Sequence, residues 1–326
     1  MKQVKVVVTG ATGQVAYALL PRIAAGEMFG PDTDVDLRLS DIPPMIEKAK
    51  GVVMELEDGA YPLLARVSAS ADRGDTHGDA DWVLLVGSVP RGPGMERGDL
   101  IRKNGPIFVD EGKAIAERAA KGVRVVVVGN PCNTNCLIAR ASAKSVPDDR
   151  WSAMTRLDQN RARSLLASKA GARVRDVSKL AIWGNHSATL YPDFTNATVG
   201  GKAAAEALDR GWLEKEFIPA VQQRGAAVIA ARGASSAFSA AQALVDHVRS
   251  LLTPTPRDAW FSAAVVSDGT YGVPKGLVSS FPLRSTGDGG YEIVRDVKLD
   301  RFATDKLAAT IAELEKERDL VKDLLA

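Results

Sequence analysis

Short runs of β-branched residues alternate with helix-forming stretches through the first 150 residues of the chain. Residues 4–9 and 123–129 are almost entirely apolar, as expected for strands that are covered on both faces. The stretches at 11–25 and 99–121 have the composition and spacing of helices. Because strands that alternate with helices join through right-handed crossovers, we predict an α/β fold with a parallel sheet. The same pattern predicts further strands at 35–39 and 82–87 and a further helix at 45–56.

The pattern changes near residue 150. Longer Ala-rich helices and a series of short strands and turns replace the regular alternation, and no repeat or low-complexity linker joins the two halves. We therefore predict two domains of different architecture, at residues 1–150 and 151–326. The alternating Glu and Lys of the final helix predict a solvated face. The predicted helices of the second domain cover residues 157–170, 203–223, 235–251 and 304–325, and its predicted strands cover 179–183, 261–266, 277–282 and 291–294.

Composition argues against several kinds of partner. The 326 residues include 42 basic and 40 acidic side chains, interspersed, so that no basic stripe is available for a nucleic-acid backbone. No apolar run approaches the roughly 18 residues of a membrane span, and the N-terminus lacks the pattern of a signal peptide. Two cysteines are too few for a disulfide framework, which favours a reducing compartment. We expect a cytoplasmic protein with neither nucleic acid nor membrane as a partner.

A glycine-containing turn links the first predicted strand to the first predicted helix. Gly10 allows a tight turn and a close approach of the backbone to a ligand, and Gly13 removes a Cβ atom from the start of the helix. The exposed N–H groups and the dipole at such a helix end favour a pyrophosphate. An ordinary Gly-rich turn is the alternative, but the buried strand before it and the amphipathic helix after it favour a dinucleotide site.

Asp41 ends the second predicted strand. An acidic side chain at that position accepts hydrogen bonds from the adenosine ribose and repels a 2′-phosphate, which favours NAD over NADP. The alternative is a capping residue before Pro43 and Pro44. We predict NAD as the cofactor.

Polar residues follow two later predicted strands. A Gly- and Pro-rich loop after a predicted central strand carries Arg91 and Arg97. Because ligands bind at the carboxyl ends of parallel strands, we expect this loop to close over an anion, with a solvated basic loop as the alternative. Asn130 ends the next strand at the same edge, where its amide can donate and accept. Cys132 and Cys136 lie nearby, but two thiols with no adjacent His make a poor zinc site, and no metal is expected.

A histidine and an aspartate offer an acid–base pair. His186 ends a predicted strand in a Gly-Asn-His-Ser turn, where its ring can face a ligand, and Asp158 lies early in a predicted helix. A carboxylate bonded to one ring nitrogen fixes the tautomer and leaves the other nitrogen to exchange a proton with a substrate hydroxyl. A purely structural histidine is the alternative. The other two histidines, His77 and His247, occupy a polar loop and a helix.

Seven stretches of the sequence match one family. They are VVVTGATGQVAYALL, GEMFG, VPRGPGMERGDLI, VVVVGNPCNTNCLIA, MTRLDQNRA, IWGNHSATLYPDF and ARGASSA. From residue 3 to about residue 323 the chain resembles the lactate/malate dehydrogenase family, and within it the branch of cytosolic-type NAD-dependent malate dehydrogenases. The resemblance implies a Rossmann doubly wound parallel sheet as a dinucleotide-binding domain at 1–150, followed by an α+β substrate/catalytic domain at 151–326. It also implies a cytoplasmic, homodimeric oxidoreductase that uses NAD to oxidise (S)-malate reversibly to oxaloacetate, a reaction of the tricarboxylic acid cycle.

The resemblance also implies a role for each matching position. His186 is implied to accept the hydroxyl proton in malate oxidation and to donate it in the reverse direction, with Asp158 as its partner. Arg161, on the same helix face as Asp158, is implied to pair with the C1 carboxylate of the substrate.

Three further residues complete the implied substrate site. Arg97 is implied to polarise the carbonyl oxygen, Arg91 to bind the second carboxylate, and Asn130 to donate a hydrogen bond to the substrate oxygen. The positions implied to line the cofactor site are Gly10, Ala11, Thr12, Gly13, Gln14, Val15, Ala16, Asp41, Gly87, Ser88, Asn104, Glu111, Val128, Gly129 and Asn130.

Three positions depart from the patterns of related folds. Val8 stands in the place of the first glycine of other dinucleotide folds, and Ala16 stands in the third small position. Both are tolerated in the branch that the chain resembles. Glu111 occupies a position where an uncharged Gln is expected.

Three alternative functions are weighed against this one. A lactate dehydrogenase-like 2-hydroxy acid oxidoreductase shares the fold and the His–Asp–Arg set, but Arg91 argues against it, because a three-carbon 2-oxo acid needs one cationic partner. A short-chain dehydrogenase needs Tyr and Lys on one helix, and Tyr271 and Lys275 have that spacing only across a Gly and a Pro. A non-catalytic NAD-binding sensor is the alternative from a different class, and the full set of site residues argues against it.

Overall fold

The computed structural model describes residues 2–90 and 94–325. The chain forms two compact units, each built from more than one segment. The first unit consists of residues 1–153, 237–249 and 317–326, and the second consists of residues 154–236 and 250–316. Within the described part of the chain, no helix combines the length and the apolar character needed to cross a membrane.

Among the described residues of the first unit, six strands form a parallel sheet. They are β1 (Lys2–Thr9), β2 (Thr33–Ser40), β3 (Leu64–Ser70), β4 (Trp82–Leu85), β5 (Arg124–Val127) and β6 (Trp151–Ala153). Their order is β3-β2-β1-β4-β5-β6, so that the direction of winding reverses between β1 and β4. This is the arrangement of a doubly wound Rossmann fold, in which ligands bind at the carboxyl ends of the strands beside the reversal. The predicted parallel sheet is confirmed.

Amphipathic helices connect these strands. The first helix buries Leu19 and Ile23, which lie at helical spacing, together with Leu20, whereas Val15 is half-buried. The fourth and fifth helices pack closely at Gly112. A Cβ atom at this position would lie only 2.1 Å from the carbonyl oxygen of Ala139, so the absence of a side chain allows the contact. The helices are α1 (Gln14–Ala24), α2 (Ile46–Asp58), α3 (Arg73–His77), α4 (Arg97–Arg118) and α5 (Cys132–Ala141).

The second unit combines short antiparallel strands with helices. Its strands are β7 (Val177–Ser178), β8 (Ala181–Trp183), β9 (Tyr191–Asp193), β10 (Thr198–Val199), β11 (Lys202–Ala203), β12 (Phe261–Val266), β13 (Val278–Arg284) and β14 (Glu292–Ile293). Strands β12, β13 and β14 pair antiparallel, as do β8 with β9 and β10 with both β7 and β11. The α+β character expected for this part of the chain is confirmed.

The remaining helices begin and end close to their predicted positions, with one exception. They are α6 (Arg156–Lys169), α7 (Ala204–Ala207), α8 (Arg210–Trp212), α9 (Ile218–Arg232), α10 (Phe238–Leu252) and α11 (Arg301–Leu320). A π-helical turn (Leu213–Phe217) joins α8 to α9, and 3-10 turns lie at Pro43–Met45, Asp148–Arg150, Val174–Asp176, Thr270–Gly272 and Lys322–Leu324.

The prediction of one continuous helix over residues 203–223 is wrong. The backbone at Leu208 is extended (φ −134°, ψ 151°), which ends α7. A new helix begins at Arg210, after the N-cap residue Asp209, whose carboxylate accepts a hydrogen bond of 2.7 Å from the N–H of Trp212. An N-terminal cap of this kind makes a restart more favourable than continuation, although the Ala-rich composition favours helix throughout.

Candidate active site

His186 and Asp158 form a hydrogen-bonded pair in the second unit. The Nδ1 atom of His186 lies 2.5 Å from the Oδ2 atom of Asp158. Asp158 lies in the first turn of α6 with 1% of its side chain exposed, whereas 21% of the His186 side chain is exposed. A buried carboxylate that accepts a hydrogen bond from Nδ1 selects the tautomer with hydrogen on that nitrogen and stabilises the protonated ring. The pair has the geometry of an oriented general acid–base group.

The backbone at the end of β8 sets the position of the turn that carries His186. The N–H of Gly184 donates to the carbonyl of Ser280 in β13 (3.1 Å), and the N–H of Ser280 donates back to the carbonyl of Gly184 (2.8 Å). Gly184 has a φ of 86°, and a Cβ atom there would lie 2.0 Å from the side chain of Thr310. Only glycine fits at this point, and the chain turns immediately before His186.

Arg161 lies one turn after Asp158 on α6. Its Nη1 atom is 3.4 Å from Oδ1 of Asp158, and its Nη2 donates to Oγ of Ser236 at 3.1 Å. Burial lowers the pKa of Arg161 from its ordinary value, an effect that Asp158 opposes and the cation of Arg224 reinforces. The guanidinium still remains charged at neutral pH. A mostly buried cation beside the His–Asp pair is suited to binding a carboxylate.

The glycine turn of the first unit lies at the carboxyl end of β1. A Cβ atom on Gly10, whose φ is 60°, would lie 2.5 Å from the Cα atom of Gly87, so the chain segments that follow β1 and β4 touch here. Gly13 is the N-cap of α1, is exposed, and contributes no side-chain hydrogen bond to the first helical turn. Gln14, Val15 and Ala16, which are predicted to bind the cofactor, form that first turn. This uncapped helix end at the sheet edge fits the pyrophosphate of a dinucleotide.

Asp41 follows β2 and is bonded to the glycine turn. Its Oδ2 atom accepts hydrogen bonds from the N–H (2.9 Å) and the hydroxyl (2.8 Å) of Thr12, and its Oδ1 atom accepts one from the N–H of Ile42. Ala11 lies between the two glycines and is buried. These bonds hold the Asp41 carboxylate beside the start of α1.

The segments that follow β4 and β5 lie against each other. The N–H groups of Val128 and Gly129 both donate to the carbonyl of Leu85, at 2.9 and 3.0 Å. A Cβ atom on Gly129 would lie 2.8 Å from the carbonyl oxygen of Gly87 and 2.9 Å from Cβ of Ser88. The predicted cofactor residues of these two segments are therefore brought together at the same edge of the sheet.

Asn104 on α4 is fully buried and bonded to backbone. Its Oδ1 atom accepts a hydrogen bond from the N–H of Val89 (2.8 Å), and its Nδ2 atom donates to the carbonyls of Val89, Leu100 and Asn130. Asn130, which is predicted to donate to a substrate oxygen, is exposed at the end of this network. Asn104 thus fixes the segments after β4 and β5 relative to α4.

Arg97 begins α4 and forms an ion pair within the first unit. Its Nε atom donates to Oε1 of Glu317 at 2.5 Å, and the hydroxyl of Thr134 donates to the other oxygen of the same carboxylate. Glu317 is 4% exposed, so the prediction that the charged face of the last helix is solvated is wrong at this position. The sequence carries no signal for this pair, because its two members are 220 residues apart. Arg91 lies outside the described residues.

Glu111 on α4 is buried in an ion-pair cluster with α3. Its Oε1 atom accepts a hydrogen bond from Nε of Arg73 (2.8 Å), and its Oε2 atom lies 3.1 Å from Nε2 of His77. Burial alone would raise the pKa of Glu111, but His77 and Arg73 together lower it below its ordinary value. The cluster explains how a carboxylate is accommodated where an uncharged side chain was expected.

Tyr271 and Lys275 do not share a helix. Tyr271 lies in a 3-10 turn with a φ of 57°, and its hydroxyl donates to the carbonyl of Val294 at 2.6 Å. Lys275 follows that turn in a non-helical segment. The spacing that a short-chain dehydrogenase requires is therefore coincidental here.

Comparison with known proteins assigns both parts of the chain to one family. The model of the lactate/malate dehydrogenase NAD-binding domain matches residues 4–150, and the model of the alpha/beta C-terminal domain of the same family matches residues 155–325. A curated malate dehydrogenase from Magnetococcus marinus is 56% identical over 323 residues, which cover 99% of this chain and 98% of that protein.

Solved structures give the same result. A malate dehydrogenase from Naegleria fowleri is 42% identical, with a TM-score of 0.96 and coverage of 99% of both chains. A Trichomonas vaginalis lactate dehydrogenase in complex with NADH and oxamate is 36% identical, with a TM-score of 0.95 and coverage of 99% of both chains. The chain therefore belongs to the lactate/malate dehydrogenase family, and it is an NAD-dependent dehydrogenase whose first 150 residues contain the NAD-binding domain.

Proposed function

We propose that this chain is a malate dehydrogenase that interconverts (S)-malate and oxaloacetate with NAD. The proposal is carried by the buried Asp158–His186 pair with the guanidinium of Arg161 beside it. An oriented acid–base group next to a carboxylate-binding cation is what the oxidation of a 2-hydroxy acid requires. The 56% identity to a curated malate dehydrogenase supports malate as the 2-hydroxy acid. In this proposal residues 1–150 bind the dinucleotide and residues 151–326 supply the catalytic groups.

His186 moves the proton. With its Nδ1–H held by Asp158, its Nε2 atom removes the hydroxyl proton during malate oxidation, and the protonated ring returns the proton during oxaloacetate reduction. Asp158 stabilises the imidazolium that forms when the proton is taken up. NAD, when bound, supplies the nicotinamide carbon that accepts the hydride.

Cations bind and polarise the substrate. Arg161 pairs with the C1 carboxylate, and Arg91 pairs with the second carboxylate. A three-carbon acid has no second carboxylate and therefore does not need this cation. Arg97 polarises the carbonyl oxygen. Its Nη2 atom is buried and has no hydrogen-bond partner among the described residues, which supports a role as a donor to a bound oxygen. Asn130 donates to the same substrate oxygen.

Residues of the first unit select and hold NAD. The first turn of α1, from Gln14 to Ala16, faces the pyrophosphate with its N–H groups. Asp41 accepts hydrogen bonds from the adenosine ribose and repels the 2′-phosphate of NADP. Thr12 orients that carboxylate through its two hydrogen bonds. The segments at Gly87 and Gly129, with their neighbours and with Asn104 and Glu111, complete the proposed lining.

The protein also acts, in this proposal, as a cytoplasmic homodimer in the tricarboxylic acid cycle. The branch that the sequence resembles supports this assignment. Cys132 and Cys136 are both buried and form no disulfide, which fits a reducing compartment. Sedimentation equilibrium tests the dimer: a monomer at micromolar concentration contradicts it.

A paired assay of the purified protein tests the function. Initial rates are measured with NADH and with NADPH, each with oxaloacetate and with pyruvate. We expect kcat/KM for oxaloacetate with NADH to be at least about 100-fold higher than for any of the other three pairs of substrates. Pyruvate is disfavoured because it leaves a cation in the site unpaired, and NADPH is disfavoured because Asp41 repels its 2′-phosphate. The likeness to a lactate dehydrogenase crystallised with NADH and oxamate makes pyruvate the relevant competitor. Equal or faster turnover of pyruvate overturns malate as the substrate.

A further inference from the structure

A carboxylate on α11 bonds to side chains on both sides of His186 in the sequence. The Oε2 atom of Glu313 accepts hydrogen bonds from Nδ2 of Asn185 (3.0 Å), from Oγ1 of Thr189 (2.6 Å) and from Oγ of Ser187. Asn185 is fully buried, and Glu313 is half-buried. Because hydrogen bonds to a carboxylate are stronger than those between neutral groups, one side chain of α11 holds three donors of this turn together.

Thr310 lies one helical turn before Glu313 on the same face of α11. It contacts the backbone of the segment that carries His186. The Oγ1 atom of Thr310, which is fully buried, accepts a hydrogen bond of 2.9 Å from the N–H of Asn185 and lies 2.9 Å from Oγ1 of Thr189. Its methyl group occupies the space that Gly184 leaves open, since a Cβ atom on Gly184 would lie 2.0 Å from Cγ2 of Thr310. The close approach of α11 therefore depends on the glycine that precedes the turn.

We propose that Thr310 and Glu313 are positioning residues for His186. The Asp158 bond fixes the rotation of the ring, and the Gly184–Ser280 bridge fixes the base of the turn. Hydrogen bonds within the turn link the N–H of Ser187 to the carbonyl of Asn185 and the N–H of Thr189 to Oγ of Ser187. The contacts with Thr310 and Glu313 anchor this turn to α11. A general acid–base group displaced by about 1 Å loses roughly 100-fold in rate, so the placement of this backbone is a requirement for catalysis. The inference rests on the proposed catalytic role of His186.

Four variants test the inference, in two matched pairs. Glu313→Ala removes the acceptor, whereas Glu313→Gln keeps a weaker one of the same shape. Thr310→Val removes the hydroxyl at constant shape, whereas Thr310→Ser keeps it. Asp305→Ala, which removes an exposed carboxylate from the same helix, is the control for a change of charge on α11.

The measurement is the rate of hydride transfer from NADH to oxaloacetate in a single turnover, followed by the absorbance of NADH. KM for oxaloacetate, Kd for NADH and the temperature of unfolding are measured on the same samples. We expect Glu313→Ala and Thr310→Val to transfer hydride about 10- to 100-fold more slowly, with KM and the Kd for NADH within about threefold of the parent protein. Glu313→Gln and Thr310→Ser should recover most of the rate, and Asp305→Ala should match the parent.

Two results overturn the inference. One is a single-turnover rate within twofold of the parent in folded Thr310→Val and Glu313→Ala. The other is a slower rate that is explained entirely by a smaller fraction of folded protein, and that Glu313→Gln and Thr310→Ser do not restore. If Glu313→Ala does not fold, the Thr310→Val and Thr310→Ser pair decides, because valine preserves the packing at Gly184.

His186→Asn, measured in the same series, separates this inference from the function on which it rests. A parent protein that does not reduce oxaloacetate, or a His186→Asn variant as fast as the parent, contradicts the proposed function and with it the inference. An active parent and a slow His186→Asn variant, together with unaffected Glu313 and Thr310 variants, contradict the positioning role alone.

Discussion

The cofactor turn of the first unit and the acid–base cluster of the second unit are assembled in opposite ways. The turn at 10–16 is one contiguous segment whose charged partner, Asp41, lies 29 residues from Thr12. The cluster joins Asp158 to His186 across 28 residues, and Asn185 to Glu313 across 128. Backbone groups of one short segment, with the Asp41 carboxylate beside them, form the cofactor turn, whereas side chains from three separate elements form the acid–base cluster. We therefore expect substitutions in the cluster to change catalysis without changing NADH binding.

Replacement of His186 should give the largest difference between the effect on the rate of catalysis and the effect on NADH binding. In His186→Asn the general acid–base group is lost, and we expect the single-turnover reduction of oxaloacetate to slow by about 100- to 10,000-fold. NADH binding, measured by fluorescence titration, should stay within about twofold, because the proposed cofactor contacts lie in the first unit. An unchanged rate contradicts the catalytic role, and a lost NADH affinity contradicts the separation of the two regions.

Replacement of Arg91 tests which residue distinguishes a diacid from a monoacid. Arg91→Gln removes the proposed partner of the second carboxylate, and we expect kcat/KM for oxaloacetate to fall by roughly 100- to 1,000-fold while that for pyruvate rises. Arg102→Gln, at an exposed position of α4, is the matched control. A kcat/KM for oxaloacetate that barely changes would show that Arg91 does not bind the second carboxylate.

Replacement of Asp41 probes the cofactor turn alone. Asp41→Ser removes the carboxylate that repels a 2′-phosphate, and we expect the ratio of kcat/KM with NADPH to that with NADH to rise roughly 10- to 100-fold. KM for oxaloacetate is the readout for the second region and should change by less than threefold. If the cofactor ratio is unchanged, the preference for NAD does not depend on Asp41.

Most of the first unit is predictable from sequence because its signals are local. The apolar runs and the glycine turn predict strands, crossovers and the uncapped end of α1 within a few residues. β3 (Leu64–Ser70) carries no such signal, since it mixes polar and small residues and none of its residues is fully buried. β6 (Trp151–Ala153) has only three residues, too few for any periodicity to be read.

The second unit is less predictable because its site depends on contacts between distant segments. Residue chemistry and family resemblance suggest Asp158 and His186, but spacing alone says nothing of Thr310 or Glu313. The same difficulty affects an ion pair of the first unit. The alternating charges of α11 predict solvent exposure, yet Glu317, at the end of that helix, is 4% exposed and paired with Arg97. Long-range ion pairs leave no periodic pattern, and only packing reveals them.

Replacement of Glu111 has the smallest expected effect, on the stability of the first unit. Glu111→Gln leaves His77 and Arg73 without a charged partner, and we expect the free energy of unfolding at pH 7 to fall by about 1–2 kcal/mol, a modest loss because Arg73 is 38% exposed. Urea denaturation followed by circular dichroism measures the change.

The pH dependence of that loss follows from the lowered pKa of Glu111. A carboxyl group whose pKa is lower in the folded protein contributes stability above its ordinary pKa, which is 4.5, and loses that contribution as the pH falls through the folded value. The difference in stability between the parent and Glu111→Gln should therefore be constant near neutral pH and shrink in acid. A difference that grows as the pH falls below 4.5 contradicts the ion-pair account.

The proton relay of His186 is the central claim, and the pH dependence of kcat/KM in the two reaction directions tests it most directly. Oxaloacetate reduction requires the imidazolium, so its kcat/KM should fall as the pH rises and the ring loses its proton. Malate oxidation requires the neutral ring, so its kcat/KM should rise over the same interval. Opposite profiles that share one inflection, and that both disappear in His186→Asn, are the predicted result. Profiles that run parallel, or that persist in His186→Asn, would contradict the account.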